Sequence, residues 1–588
     1  MNPFSKLTIA LKAARQLGLE QVGLYALYKF GLWTGHYWRM TDHGRRTMDD
    51  GQWSMVHRPL FAFPPRADLE TVLGKDGKAA LLAEADEIVD GKVRLFGAQP
   101  VELILALPGK LAHWTAYETG KVPLPPVSEP ANLPTCDVKR IWEPARFGWA
   151  FVLGRACHLT GDEKYAETFW KNFETFTDAN PPCLGPNWMS GQEVALRLMA
   201  FVWAGQVFDA APASTPARKQ RLAASVAAHA ARILPTLLYA RAQHNNHLLT
   251  EAAGLLTAGL ALPDHPDTPR WRGLGWRWLN HGLQSQIDSY GEYAQHSTNY
   301  HRLMLQVVLW TNALVKNFDL RWPRPTLEAV GRSVHWLLSL LDSESGRTPN
   351  LGANDGAYIF PLTISTFSDF RPVAHAAARA FLDYILPGGV WDEMGLWFGA
   401  QVGGPRAIAL PRYLGDQLYG RQSWAYFRTA QFNSRPSHAD QLHLDLWWRG
   451  LNVAQDAGTY LYNADKPWDN SLVTAFVHNT VTVNGRDQMK RAGRFLYLDW
   501  VNAYRRGLPV EALSELQRLR GRYWGGGCRH TRIVSVYEDD RWRVRDEILP
   551  LRMPWQNRPL AARLHWLLPD YPWRVDSRES GVMVVLDS

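Results

Sequence analysis

Cysteine is scarce in this chain: Cys136, Cys157, Cys183 and Cys528 are the only four among 588 residues, and no two form a CxxC pair. A disulfide framework and a cysteine-built zinc site are therefore not expected. No run of about 18 apolar residues occurs, so no membrane-spanning helix and no membrane partner are expected. The N-terminal stretch MNPFSKLTIALKAARQLGLEQVGLYALYKFGLW is apolar but broken by Lys, Arg, Gln and Glu. It lacks a clean apolar core followed by a small-residue cleavage site, so no signal peptide is expected. A cytoplasmic location is the default on that ground, with a periplasmic or secreted one left open. There is no Lys/Arg-rich run, zinc-finger spacing or RNA-recognition signature, which argues against nucleic acid as a partner. No organic cofactor is expected.

What is present points elsewhere. Hydrophobic residues make up 46% and charged residues 20%, the balance of a globular chain, and the length suits two or three domains. Formal net charge is +8, which favours an acidic partner. Aromatic residues reach 12%, with 27 Trp. Flat indole and phenol faces suit the apolar C–H faces of sugar rings, although a large helical core would also absorb many of them.

The chain changes texture near residue 405. Before it, LAASVAAHAARILPTLLYA (222–240), LLTEAAGLLTAGLAL (248–262), YHRLMLQVVLWTNALVKNF (300–318), VGRSVHWLLSLLD (330–342) and PVAHAAARAFLDYIL (372–386) carry apolar residues at helical spacing. Many helices in series suggest hairpins packed side by side, as in a toroid or solenoid. After it, LHLDLWW (442–448) and NTVTV (479–483) alternate, the second running into the hairpin signal Asn484-Gly485. RIVSVYEDDRWRVRDEI (532–548) reads as two strands joined at Asp539-Asp540, and AARLHWLLP and GVMVVLD as further strands. The expected architecture is α then β: an N-terminal segment (1–90), a helical domain (91–400) and an antiparallel β-sandwich (405–588), the last strand-like segment running up to Ser588.

Three polar clusters interrupt this apolar background. Gln243-His244-Asn245-Asn246-His247 lies between two apolar helices; one Asn there can serve as an N-cap, but a cap does not account for five consecutive polar residues. Tyr293, Gln295, His296, Ser297, Asn299, Tyr300, His301 and Arg302 open the next helix, with Arg302 a cation able to act on a phenol. Arg435-Pro436-Ser437-His438-Ala439-Asp440, then His443 and Asp445, Asp456-Ala457-Gly458-Thr459-Tyr460 and His478-Asn479-Thr480 form the third. His and Asp on neighbouring strands suit a metal site or a base with its orienting partner.

These clusters resemble the heparinase II/III family of polysaccharide lyases over roughly residues 140–500. HADQLHLDLWWRGLNVAQDAGTYLYN followed by VHNTVTVNGRDQ is similar to the family's histidine strand, DxGTY turn and HNTV hairpin, and the NNH cluster with Tyr300 agrees in the helical half. The resemblance implies an (α/α) toroid joined to an antiparallel β-sandwich. It implies β-elimination on a uronate of an acidic polysaccharide, with glycosaminoglycan favoured by the positive charge. Alginate or exopolysaccharide lyase activity, or a non-catalytic polysaccharide-binding protein, are the alternatives.

The reaction needs a group to neutralise the uronate carboxylate, a base for the C5 proton and an acid for the leaving O4. By resemblance Asn246, helped by His247, takes the first role. Tyr300 is the acid and, in syn elimination, also the base; His438 is the base when the C5 proton lies on the opposite face. Asp456 and His478, with Asp440, match positions that hold a divalent ion (Zn or Ca) in some relatives, expected to be structural. Trp142, Arg146, Asn187, Trp188, Gln192, Glu193 and Arg197, in IWEPARF and PNWMSGQEVALR, are expected to line the cleft, with Asn354 of GANDG. His296, Arg302 and Arg435 are the candidates for the positive field beside the tyrosine. Endo or exo action, syn or anti elimination and oligomeric state stay open.

Overall fold

A computed structural model describes residues 3–40, 53–56, 58–126, 138–401, 415–459, 470–493, 495–551, 560–578 and 581–586. Among these, one compact unit takes in the residues up to 341, 353–401 and 470, and a second takes in Asp342–Gly352, 415–459 and those from 471 on.

The first unit is built from helices that alternate between two kinds. Gly148–Thr160, Gly191–Val207, Asn246–Ala261 and Thr298–Asn317 are buried on nearly every face. Glu163–Ala179, Pro216–Ile233, Thr268–Gln286 and Arg324–Leu340 bury one stripe and keep the other polar. A helix apolar all round belongs inside and an amphipathic one outside, so the alternation is that of an inner and an outer ring, the (α/α) toroid. Small residues let the inner ring close: a Cβ on Gly254 would come within 2.8 Å of the Ala195 Cβ. The periodic stretch 222–240 is broken, as Pro235 permits, into Pro216–Ile233, a 3₁₀ turn Leu234–Thr236 and Leu237–Gln243. By length and composition Pro216–Gln243 would be long and apolar enough to cross a membrane, but 67% of its apolar window is buried. The helical stretch Arg66–Val89, broken at Gly74 with a φ of 61°, also belongs to this unit, burying Leu69, Leu73, Leu81, Ala85 and Ile88 in its core. The segment expected at 372–386 ends as a helix at Phe381, and Asp383 takes a left-handed φ of 57°.

A fully buried ion pair pins this unit. Arg155 donates to Glu393 through Nε at 2.7 Å and Nη2 at 2.6 Å, and to the Pro361 carbonyl at 3.1 Å. Removing one member of such a pair strands the other charge away from water. Arg155→Met is expected to destabilise the first unit by about 3–5 kcal/mol, read as a lower melting temperature in calorimetry.

The second unit contains two four-stranded antiparallel sheets. One runs Gln417–Tyr419, Ser423–Phe427, Leu444–Trp448, Leu451–Ala454; the other runs Ala503–Gly507, Glu515–Gly525, Cys528–Tyr537, Trp542–Pro550. Leu418, Phe427, Leu442, Leu444, Val534 and Val536 share one buried cluster, as in a sandwich. A Cβ on Gly521 would lie 2.4 Å from Leu442 Cδ2 and 2.6 Å from Phe427 Cζ, so a side chain here would have to displace both. The joint at Asp539-Asp540 turns as expected, Asp540 at a φ of 57°. Asn484 and Gly485 form a tight turn with φ of 54° and 62°, the primed-turn signature. Val481–Val483, however, pairs mainly with the distant strand Ala562–Leu564. Of the cysteines, Cys157, Cys183 and Cys528 are described and none is in a disulfide; Cys136 lies outside the described residues.

Candidate functional site

In the first unit, three inner helices begin at one polar locus. Ser190, Asn245 and Ser297 cap them, their side chains accepting from the N–H of Glu193, His247 and Tyr300. The caps fix which residues sit in each first turn: Gln192 and Glu193, Asn246 and His247, Asn299 and Tyr300. The turns are stitched together. The Asn246 Nδ2 donates to Gln192 Oε1 at 3.0 Å, and its backbone N–H donates to Gln295 Oε1, also at 3.0 Å. His247 is half-buried, with Nδ1 3.7 Å from Glu251 Oε1. Three helix N-termini together favour negative charge beside them.

Tyr300 is half-buried, and its hydroxyl donates to Asp355 Oδ2 at 2.8 Å. The same carboxylate oxygen receives the Lys139 ammonium at 2.6 Å. Burial works against the ionised Asp355, but the Lys139 and Arg146 charges and the tyrosine hydrogen bond outweigh it and bring its pKa down to about 2. Asp355 is thus a fixed carboxylate holding Tyr300 in place. Neither Asp355 nor Lys139 was selected from the sequence. The signal lay in GANDG, where Asp355 follows Asn354, and in the KRIWEPARF stretch, where Lys139 precedes the aromatic-polar run.

Arg146 spans two carboxylates. It pairs with Glu193 through Nε at 2.5 Å and Nη2 at 2.8 Å, and also donates to Glu143. Burial, then the repulsion of Glu193 and Asp355, push the Glu143 pKa up to about 7 against the pull of Arg146 and Lys139. A carboxyl whose folded pKa is raised contributes stability below its unfolded value and loses it as pH rises through the folded one. Melting temperature is therefore expected to fall between pH 4.5 and about 7 for this reason. Glu143→Gln should flatten that part of the profile in a thermal melt series.

The remaining expected cleft residues divide. Trp142 is half-buried and its Nε1 donates to the Pro186 carbonyl at 2.9 Å. Asn354 is half-buried beside Asp355, its Oδ1 accepting from the Gly356 N–H. His296 is buried against Glu292 at 2.9 Å. Four expectations need correction. Arg197 is fully buried, donating to the Ala145 and Asn187 carbonyls and to His229 Nε2. Asn187 and Trp188 are buried on Asn180. These three brace the loop before Gly191 and are covered by protein, not offered to a ligand. Arg302 is fully buried among the rings of Tyr358, Phe367 and Phe370. The positive charge next to Tyr300 comes from Lys139 instead.

In the second unit, His438, Asp440, Asp456 and His478 bring one ligand atom each within 4.8 Å of one another, all buried. His438 Nδ1 lies 3.2 Å from His478 Nε2, and His478 Nε2 lies 3.4 Å from Asp456 Oδ1. His478 Nδ1 faces the Thr474 carbonyl at 2.8 Å, so it carries a proton and Nε2 is the atom turned to the cluster. His443 accepts the Asn479 N–H on Nδ1 and sets Nε2 3.8 Å from Asp456. Burial and the His478 charge hold the His438 pKa down at about 4, whereas Asp456 outweighs burial at His478 and lifts it to about 9. His438 Nε2, both Asp440 oxygens and Asp456 Oδ2 are buried without a hydrogen-bond partner, Asp440 Oδ2 having only the Arg428 Nε at 3.4 Å as an ion pair. Buried orphan acceptors of this kind are rare, and two imidazoles with two carboxylates form a donor set that can hold a divalent metal.

This placement changes the reading of His438. Expected from the resemblance as a base, it is 1% exposed, with Nδ1 3.2 Å from His478 Nε2 inside the cluster. Arg435 is half-buried on the loop preceding it. Tyr460, in the same quoted motif, lies outside the described residues.

A toroid followed in the chain by an antiparallel sandwich with a buried His/Asp cluster defines a two-part α-then-β class. The solved structure of heparinase III shows the same fold, with a TM-score of 0.54 and 16% identity over 90% of this chain and 78% of that one. The family models agree: "Heparinase II/III N-terminus" matches residues 118–344 and "Heparinase II/III-like, C-terminal" matches 412–588. The chain belongs to the heparinase II/III-like family. It is 24% identical over 376 residues to a heparin-sulfate lyase of Pedobacter heparinus, covering 60% of this chain and 54% of that protein. A heparin-sulfate lyase of Bacteroides stercoris is 22% identical over 396 residues, covering 60% and 55%. The chain thus spans about half the length of the curated relatives it matches.

Proposed function

We propose that the protein is a polysaccharide lyase that cleaves a uronate-containing glycosaminoglycan by β-elimination. The observation that carries this is the pairing, at one locus, of the anion-favouring first turn around Asn246 with the Tyr300 hydroxyl held by Asp355. The names of the curated relatives and the positive net charge support the substrate class.

In this reading the Asn246 carboxamide and the helix N-termini meet the uronate carboxylate, stabilising the charge that develops when C5 loses its proton. With His438 taken up by the buried cluster, Tyr300 serves both steps in a syn elimination. Its phenolate form takes the C5 proton, the electron pair forms the C4–C5 double bond, the C4–O4 bond breaks, and the phenol returns the proton to O4. Tyr300 ends as it began. Asp355 accepts the Tyr300 hydroxyl and fixes its position, and Lys139 offsets the negative charge of that carboxylate beside the tyrosine. Half-buried Trp142 and His247 are available to line the subsites.

His438, Asp440, Asp456 and His478 would hold the metal. Two imidazole nitrogens favour zinc over calcium, which prefers oxygen ligands throughout. Bound there, the ion would neutralise the buried carboxylates and brace the strands; the proton transfers stay with Tyr300.

The test is ultraviolet absorbance of the unsaturated uronate during incubation with heparan sulfate, heparin, hyaluronan, chondroitin sulfate, dermatan sulfate and alginate. A rise with one of the glycosaminoglycans is expected. A rise with alginate alone would reassign the substrate. Chain shortening without new absorbance would mean hydrolysis and overturn the proposal.

A further inference from the structure

The helix Leu19–Trp33 is apolar on two opposite faces. One face packs inward: Tyr28 and Gly31 are buried, and the Tyr28 ring stacks on Tyr239 with centroids 4.0 Å apart. The other carries Leu19, Leu27, Phe30 and Trp33, within about 120° of one another around the helix, and all four are exposed. Leu19 is 80% and Trp33 81% exposed, and the Phe30 and Trp33 rings lie 5.8 Å apart. After Gly35, at a φ of 69°, the short helix His36–Arg39 adds Trp38, 64% exposed. A helix apolar all round is normally buried all round, and a contiguous exposed apolar patch marks a contact surface.

The charge around this face identifies what it meets. Residues 1–40 contain Lys6, Lys12, Arg15, Lys29 and Arg39 against a single carboxylate, Glu20. That carboxylate is paired with Arg241 at 2.9 Å. Arg15, Lys29 and Arg39 are exposed beside the aromatic residues. Trp, Phe and Leu flanked by Lys and Arg is the composition of a helix lying in a lipid headgroup layer. A second copy fits less well, because a twofold contact through this face would bring two copies of the same cation-rich surface together. At 15 residues the helix is about 22 Å long, short of the roughly 30 Å hydrocarbon core. That this helix is too short to span therefore does not exclude contact with a membrane surface.

We propose that the Leu19–Arg39 region docks the protein on an anionic lipid surface, with Leu27, Phe30, Trp33 and Trp38 entering the headgroup layer and Arg15, Lys29 and Arg39 facing lipid phosphates. The test is co-sedimentation of the full chain with vesicles of phosphatidylcholine alone and of equimolar phosphatidylcholine and phosphatidylglycerol. Binding to the anionic vesicles is expected to be roughly tenfold to a hundredfold tighter, at about 1 kcal/mol per basic residue near the surface, and to weaken with salt. Tryptophan emission should shift to the blue on binding. Phe30→Glu/Trp33→Glu should abolish binding without changing the melting temperature, since both side chains are exposed. Lys29→Gln/Arg39→Gln should remove the preference for the anionic vesicles. Equal or absent binding to both vesicles would overturn the proposal. So would a particle mass in light scattering that halves on Phe30→Glu/Trp33→Glu without vesicle binding, which would make the face a subunit interface.

Discussion

Tyr300→Phe is expected to lower kcat/KM for the glycosaminoglycan by about a hundred- to ten-thousandfold, the usual range for a group that moves a proton in the transition state. The substitution removes one oxygen and keeps the ring, and the ring is only partly buried against the core, so melting temperature should stay close to that of the native chain. Glycan binding should persist, because the groups around Asn246 proposed to meet the uronate carboxylate are untouched. Asp355→Asn provides the complementary arm. The carboxylate that accepts the Tyr300 hydroxyl also holds Lys139, so the amide would loosen both and release the ammonium. Turnover should fall in the same direction, and the activity-versus-pH profile should move, which loss of packing alone would not cause. A Tyr300→Phe protein that keeps full activity would sink the assignment of Tyr300, whatever the protein's substrate.

Asp456→Ala is expected to be the most destabilising single change in the second unit. Asp456 accounts for most of the lift in the His478 pKa to about 9 and sits 3.4 Å from its Nε2. Without it, a buried imidazole loses its counter-charge and the cluster loses a ligand. Breaking a buried charged pair costs about 3–5 kcal/mol, which for a unit of this size is a fall on the order of 10 °C in its melting transition. Chelator treatment should move that transition the same way in the native chain and have no further effect on the variant. Elemental analysis should find about one zinc per chain. Equal melting of treated and untreated native protein, with no metal detected, would leave the cluster as a metal-free polar network.

Much of the architecture was legible in the chain because it depends on local periodicity. Apolar spacing of three and four residues before position 405 and alternation after it distinguish a helical half from a sheet half without reference to any contact. Asn484-Gly485 and Asp539-Asp540 mark turns for the same reason: their residue types tolerate positive φ. The polar interruption at 243–247 was legible because five polar residues between apolar helices exceed what a cap requires, and Asn246 does meet Gln192 there.

Residue type and spacing by themselves determined the two-part fold, the turns and the three polar clusters. Tertiary structure alone decided how deeply the members of those clusters are buried and what each of them meets. Arg197 and Arg302 resemble Arg146 in sequence, but their guanidinium groups are consumed by backbone carbonyls and aromatic rings. Lys139 and Asp355 are 216 positions apart in the chain yet share an ion pair of 2.6 Å beside Tyr300. His438 lies next to Asp456 and His478 only because strands and loops from three stretches of the second unit converge. The physical reason is one of range. Periodicity and turn preference act over a few residues, whereas burial, hydrogen-bond partner and charge environment are set by neighbours that folding brings from far along the chain.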